Sequence, residues 1–437
     1  MSGCRSDNAS QSPDEYIGET ATRPGLGYMK FKTKEVEFKN KTVFLRVDFN
    51  VPLQAGKVAD DFKLKAALPL IRFLLKHNAK LIVATHLGEP EILLSGRVKN
   101  RAKFSVEPLA NWLAKQLKQK INLVTELTGK KTENLINNLA GGEVVMLENL
   151  RFWPGETKNS VVFARQLADL ADIYINEAFA VCHRAHASVS AITKFLPSFA
   201  GWQLQAEVEH LDKAIKPQKP LTVVIGGAKL NTKIKLVKKF LPKADHVLIG
   251  GALANNFFKA KKINIGRSLV DDESVALAKK LTSRKIILPT DVLVLADLDG
   301  ARPQVKQADS RRSLSRATTR DGNDRILPRD MILDIGPETM KQFNEIIKHS
   351  ATVIWNGPMG QFEDKRFAQG TLFMARAIAL KPHAHHYYSL VGGGETVQAL
   401  QMAKCEQEID WVSTGGGASL AYLSGESLPG LKRLCVW

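Results

Sequence analysis

The sequence predicts an α/β protein of two domains, each a parallel sheet with helices on both faces. Short β-branched or apolar runs alternate with longer stretches of helical periodicity, the pattern of strands joined by crossover helices. The alternation is seen twice, before and after about residue 217, and 437 residues suit two cores better than one.

Residues 1–28 are polar and aperiodic and are expected to be disordered. From Met29 the runs VFLRVDF (43–49), KLIVATHL (80–87), EVVMLEN (143–149) and DIYINEAF (172–179) read as strands. Between them lie helical patterns such as LKAALPLIRFLLKH and VEPLANWLAKQLKQ. QLQAEVEHLDKAIK, residues 203–216, reads as a helix that ends at Pro217 and bridges the domains. A second strand series follows: LTVVIGG, HVLIGGA, KIILPTDVLVLAD, TVIWNGP, HYYSLVGGG and DWVSTGGG. The expected first domain is thus 29–202, with the second beginning at 217. Residues 300–329 are Arg-rich and nearly devoid of apolar side chains, and read as a long surface loop.

No apolar run approaches the roughly 18 residues that span a bilayer, so a membrane protein is not expected. The first residues lack a basic start followed by an apolar stretch, and Asp7, Asp14, Glu15 and Glu19 argue against a transit peptide. Cys4, Cys182, Cys405 and Cys435 are scattered and form no CxxC pair, which fits a reducing cytoplasm. With 62 Lys and Arg against 44 Asp and Glu, the net charge of +18 favours anionic partners. Charge alone does not separate phosphorylated metabolites from nucleic acid.

In open α/β sheets ligands bind beyond the carboxyl ends of the strands, so the residues after each strand matter most. In the first half these are polar and cationic: Asp48, Asn50, His86, Arg151, His183, Arg184 and His186. In the second half they are glycines: Gly226-Gly227, Gly250-Gly251, Gly392-Gly393-Gly394 and Gly415-Gly416-Gly417. Glycine at a strand–helix turn lets backbone N–H groups approach phosphate oxygens. The split suggests a small-anion site in one lobe and a nucleotide site in the other. Lys229 and Lys233 follow the first glycine pair at i and i+4, where cations can reach transferring phosphates, though solvated lysines would have the same spacing. Glu395 could hold Mg²⁺ carried by the nucleotide, or simply complement a helix dipole. The GxxxxGK[ST] P-loop is missing.

RVDFNVPL (46–53), LENLRF (147–152), HRAHAS (183–188), GGAK (226–229), DIGPET (334–339), WNGPMG (355–360), GGGET (392–396) and STGGGASL (413–420) together resemble the signature segments of phosphoglycerate kinases, in the family's order. The resemblance implies two Rossmann-like lobes joined by the helix 203–216. The nucleotide lobe would be 217–412, and 413–437 would pack back on the first lobe. It implies phosphoryl transfer between 1,3-bisphosphoglycerate and MgADP, giving 3-phosphoglycerate and MgATP, by a cytoplasmic monomer that needs no nucleic acid. The lobes would close over two anions. Substrate residues by resemblance are Asp48, Phe49, Asn50, Lys63, His86, Leu87, Gly88, Glu89, Arg151 and Arg184. Nucleotide residues are Gly226, Lys229, Lys233, Gly250, Asn356, Glu363, Gly393, Gly394, Glu395 and Thr396, with Glu395 toward Mg²⁺. Lys229, Lys63 and Arg184 would be catalytic.

The chain departs from the family pattern at five of these places. Lys63 and Glu89 stand where arginines are expected, Ala252 and Ile332 where glycines are, and Glu395 where an aspartate is. Glu89 is expected to turn from the phosphate or to pair with Arg97, Lys99, Arg101 or Lys103 of its own loop. A second reading is a low-activity relative that binds nucleotide, nucleic acid or a protein partner. Lys63 and Glu89 favour that reading, whereas Lys229, Lys233, Arg151, Arg184 and the glycine turns favour a working kinase.

Overall fold

The structure, a computed structural model, describes residues 35–93, 97–127, 129–228, 230–296, 302–308, 325–381 and 386–435. The expectation for residues 1–28 lies outside them. The chain divides into two units, one comprising Met1–Glu209 with Gly425–Trp437 and the other His210–Ser424. The division falls inside the helix Trp202–Ile215.

The first unit contains β1 (Thr42–Arg46), a short hairpin of β2 (Leu53–Gln54) and β3 (Lys57–Val58), then β4 (Lys80–Ala84), β5 (Asn122–Val124), β6 (Val144–Leu147), β7 (Ile173–Asn176) and β8 (Ser198–Ala200). Six of these form one parallel sheet in the order β5-β6-β4-β1-β7-β8. β6 and β7 are buried at every position, and β1 and β4 at all but the first, so these strands read as continuous apolar runs. Leu45, Val83, Met146 and Ile175 pack against Leu64, Leu70 and Leu74 of the helix Phe62–Lys76 and Leu109 and Leu113 of Glu107–Leu117. The chain lays β4, β5 and β6 on one side of β1, then returns to lay β7 on the other. The winding therefore reverses between β1 and β7, the place where such sheets open a crevice. Near the chain's end, the Cys435 N–H donates to the Ser198 carbonyl and the Ala200 N–H to that of Cys435, extending the sheet beyond β8.

The second unit contains β9 (Leu221–Ile225), β10 (His246–Ile249), β11 (Ile286–Ile287), β12 (Asp291–Leu295), β13 (Gln304–Gln307), β14 (Met331–Ile335), β15 (Thr352–Asn356), β16 (Tyr388–Gly392) and β17 (Trp411–Ser413). Its main sheet is parallel, in the order β11-β10-β9-β15-β16-β17, and reverses between β9 and β15. Trp355, Phe343, Phe362 and Met374 fill its core. β17 pairs with β16, so the segment that joins the first unit starts at Gly425. Among the described residues no helix is long and apolar enough to cross a membrane.

Two local readings need correction. KIILPTDVLVLAD is not one strand: β11 joins the parallel sheet, and β12 leaves it to pair antiparallel with β13 and β14. Pro289 lies between them and has no N–H to offer a ladder. The polar stretch 300–329 is not loop throughout, because Gln304–Gln307 is a strand. Its pattern is inverted. Lys306 is buried and held 3.2 Å from the equally buried Asp330, while Val305 is half exposed. An ion pair thus takes the place of the apolar side chain that would have marked the strand.

Leu45 has no exposed surface and sits mid-sheet. Leu45→Ala is expected to destabilise the first unit by about 2–5 kcal/mol, seen as an earlier urea midpoint. Val162→Ala, at a side chain 72% exposed, should stay within about 0.5 kcal/mol of the parent.

Candidate active site

The carboxyl ends of β1, β4, β6 and β7 gather the polar residues of the first unit. Arg46, the last residue of β1, is fully buried. Its Nε donates to Ser188 Oγ at 3.0 Å, its Nη1 to the Val47 carbonyl, and its Nη2 lies 3.2 Å from His86 Nδ1. Ser188 donates from its N–H and its hydroxyl to the two oxygens of buried Glu156, at 2.9 and 2.6 Å. The loop that carries Arg184 and His186 is thereby tied to the strand end.

Two residues after β1, Asp48 accepts from Lys63 Nζ at 2.7 Å. Asn50 Oδ1 accepts the Gly88 N–H at 2.9 Å, and the Gly88 carbonyl accepts from Arg151 Nη1 at 2.5 Å. Gly88 has φ +60°, and a Cβ there would lie 2.7 Å from the Phe104 ring, so the turn needs glycine. Asn149 clamps the same loop, accepting from the Leu87 N–H and donating to its carbonyl. Glu89 then lies with Oε1 2.6 Å from Arg151 Nη1 and 3.5 Å from Arg184 Nη1.

The cations set the local electrostatics. Burial, then Arg46, Arg151, Arg184 and Lys63, hold His86 well below the ordinary imidazole range. Burial and the same three arginines push His186 down to about 4. Both imidazoles are therefore neutral at pH 7. Burial lowers the pKa of Arg151, and the Glu89 carboxylate opposes it. Permanently charged guanidinium groups, joined by Lys63, make an anion site.

In the second unit the ends of β9 and β15 approach so closely that side chains are excluded. A Cβ on Gly226 would meet the Pro358 carbonyl at 2.1 Å, and one on Gly357, at φ +99°, the Gly226 carbonyl at 2.2 Å. Beside them opens a cavity of about 660 Å³, a suitable size for a nucleotide. Gly227, Gly251, Arg267, Asp334, Glu363 and Glu395 are among its lining residues. Ala252 and Ile332 line it too, so the side chains found in place of glycines narrow this cavity. Asp334 is pushed up to about 7 by burial, although the Gly370 and Ile335 N–H groups donate to it. Glu395 is exposed, in the first turn of the helix Gly394–Ala403.

Asp48, Asn50, Lys63, His86, Gly88, Glu89, Arg151 and Arg184 are thus brought together. Phe49 and Leu87 are not: their side chains belong to the core, and their N–H groups are taken by Thr85 and Asn149. Gly226, Gly250 and Gly393 make the turns, with Gly394 opening its helix. Lys233 is buried and donates to Asn356 Oδ1, while Asn356 Nδ2 donates to the Gly392 carbonyl at 2.8 Å. Thr396 accepts the Gly357 N–H at 2.8 Å and so fixes the turn from beneath. Lys229 lies outside the described residues. Glu89 pairs with Arg151 and Arg184 rather than with its own loop, where Lys99 instead pairs with Glu91. Sequence reasoning missed Arg46, Glu156 and Ser188. The available signal was an arginine ending an otherwise apolar strand.

The family model for phosphoglycerate kinase matches residues 33–426. The phosphoglycerate kinase of Moorella thermoacetica is 42% identical over 412 residues, covering 93% of this chain and 99% of that protein. That of the Wolbachia of Culex pipiens is 40% identical, covering 91% and 96%. The solved phosphoglycerate kinase of Coxiella burnetii superposes with a TM-score of 0.78 at 34% identity, covering 92% of this chain and 98% of that one.

An ordinary imidazole titrates near 6.5. Between that value and about 4 the unfolded chain takes up a proton that folded His186 refuses. Stability from this group is complete above about pH 6.5 and falls as the pH drops through that window. Thermal melts across it should show a shallower fall for His186→Asn than for the parent. The comparison separates the histidine from Glu156, whose burial-raised pKa acts in the opposite direction. Equal slopes would exclude His186 as the cause.

Proposed function

The chain belongs to the phosphoglycerate kinase family, and from that premise we propose how its residues move a phosphoryl group between 1,3-bisphosphoglycerate and ADP, giving 3-phosphoglycerate and ATP. The observation that carries the assignment of roles is the cation cluster at the strand ends of the first unit. Arg151 and Arg184 bind the substrate's anionic groups, and neutral His86 and Asn50 orient its polar ones. Lys63, paired with Asp48, contributes a point charge rather than the planar fork of an arginine.

In the second unit the glycine turns at Gly226, Gly250 and Gly393 present backbone to the nucleotide phosphates. Glu363 serves the ribose, and Lys233 and Asn356 hold the turn on which the phosphates rest. Lys229, next after the Gly226-Gly227-Ala228 turn, accompanies the transferring phosphoryl group. Its part is electrostatic, since phosphoryl transfer asks the protein for alignment and charge neutralisation. Mg²⁺ fits the donor set, because the exposed Glu395 carboxylate borders the cavity and a nucleotide's own phosphates supply further oxygens. When bound, the ion neutralises phosphate charge. We take the protein to act as a monomer in the cytoplasm. The low-activity reading has less support, since Arg151 and Arg184 are converged on one site.

A coupled assay of 3-phosphoglycerate-dependent ADP formation tests the reaction. Lys229→Ala should lower kcat by about 10²-fold or more, the scale for losing a preorganised charge. A change confined to KM would remove its catalytic role. Arg151→Ala should raise KM for 3-phosphoglycerate by about tenfold or more and leave KM for ATP nearly unaltered. Equal changes in both would place Arg151 outside substrate binding.

A further inference from the structure

We propose that Glu89 is a tethered competitor for the anion site of the first unit: its carboxylate holds Arg151 and Arg184 until a substrate anion displaces it. The inference rests on reading that cluster as the substrate site. Oε1 of Glu89 lies 2.6 Å from Arg151 Nη1 and 3.5 Å from Arg184 Nη1, so one carboxylate oxygen bridges two guanidinium groups. An incoming phosphate or carboxylate would need those same donors.

The backbone leading into Glu89 is fixed at Gly88. Gly88 donates to Asn50 and accepts from Arg151, and its φ of +60° lies where a side chain would strike the Phe104 ring. The side chain beyond is 76% exposed, whereas that of Arg151 is only 4% exposed. A swing about the Glu89 side-chain torsions therefore frees the arginines without moving the loop. Arg151 stays where it is, since burial and the Gly88 carbonyl hold it. Being tethered, the carboxylate competes at a fixed high effective concentration.

Simple competition lowers the affinity of every anion for this site by one common factor. Abundant weak anions are then kept off, while a substrate with several charged oxygens still binds, at a raised KM. The exposure of Glu89 keeps the factor modest, about threefold to tenfold.

The test compares the full chain with Glu89→Gln, which keeps the shape and removes the charge. Calorimetry with inorganic phosphate should show binding tightened about threefold to tenfold, and KM for 3-phosphoglycerate should fall by the same factor. KM for MgATP should not move, and Glu89→Asp should give intermediate values. Unchanged phosphate affinity and unchanged KM for 3-phosphoglycerate in Glu89→Gln would overturn the proposal, as would a rise in either. Arg151→Gln distinguishes the two levels of inference. If it leaves both quantities unaltered, the reading of the cluster as the substrate site fails, and the competitor falls with it.

Discussion

The site in the first unit depends on one buried charge. Arg46 ends the central strand with no exposed surface, and an uncompensated guanidinium there would cost several kcal/mol. Its neighbours are arranged accordingly. Ser188 accepts from it and passes two hydrogen bonds on to Glu156, and the Val47 carbonyl takes another donor. Tyr174 donates to the Ser188 carbonyl, fixing the loop from the sheet side. The loop 183–188 thus owes its position to the way Arg46 is satisfied. His86 and His186 remain neutral because they are buried and because a further positive charge beside the arginines is unfavourable. The field of the site is therefore set by its guanidinium groups rather than by its histidines.

The second unit is built by other means. Where the first places cations, the second removes side chains, so that the ends of β9 and β15 nearly touch. Two of its buried polar side chains hold the turn from beneath: Lys233 donates to Asn356, and Thr396 accepts the Gly357 N–H. Backbone N–H groups keep their charge distribution at any pH and need no side-chain ordering on binding.

Much of this was legible in the sequence, for identifiable reasons. Parallel strands buried on both faces leave continuous apolar runs, and strand-end residues are found by position once strands are known. Asp48, His86, Arg151 and Arg184 were located that way. Arg46 was not, because a buried arginine looks like an exposed one in sequence and its side-chain partners His86 and Ser188 are 40 and 142 residues away. β13 was hidden by the Lys306–Asp330 pair, which puts a charge where strand logic expects an apolar residue. The partners of Glu89 were misassigned to its own loop. Proximity in sequence favoured Arg97 to Lys103, whereas the Gly88 turn aims the side chain at residues brought in by β6 and β7.

Each cation of the substrate site is accompanied by a carboxylate, and burial decides which carboxylates can yield. Glu156 answers Arg46 through Ser188 and is fully buried, so it is a permanent part of the fold. Asp48 answers Lys63 at 2.7 Å with its own side chain only 11% exposed, so that pair can shift but not separate cheaply. Glu89 answers Arg151 and Arg184 from a side chain 76% exposed, and water can solvate it once it leaves. The four cations Arg46, Lys63, Arg151 and Arg184 therefore face three carboxylates at rest, and two when Glu89 turns outward. The site's pull on an anion is not a constant of the fold. On the reading proposed above, it varies with the position of one rotatable side chain, Glu89, beside cations that stay in place.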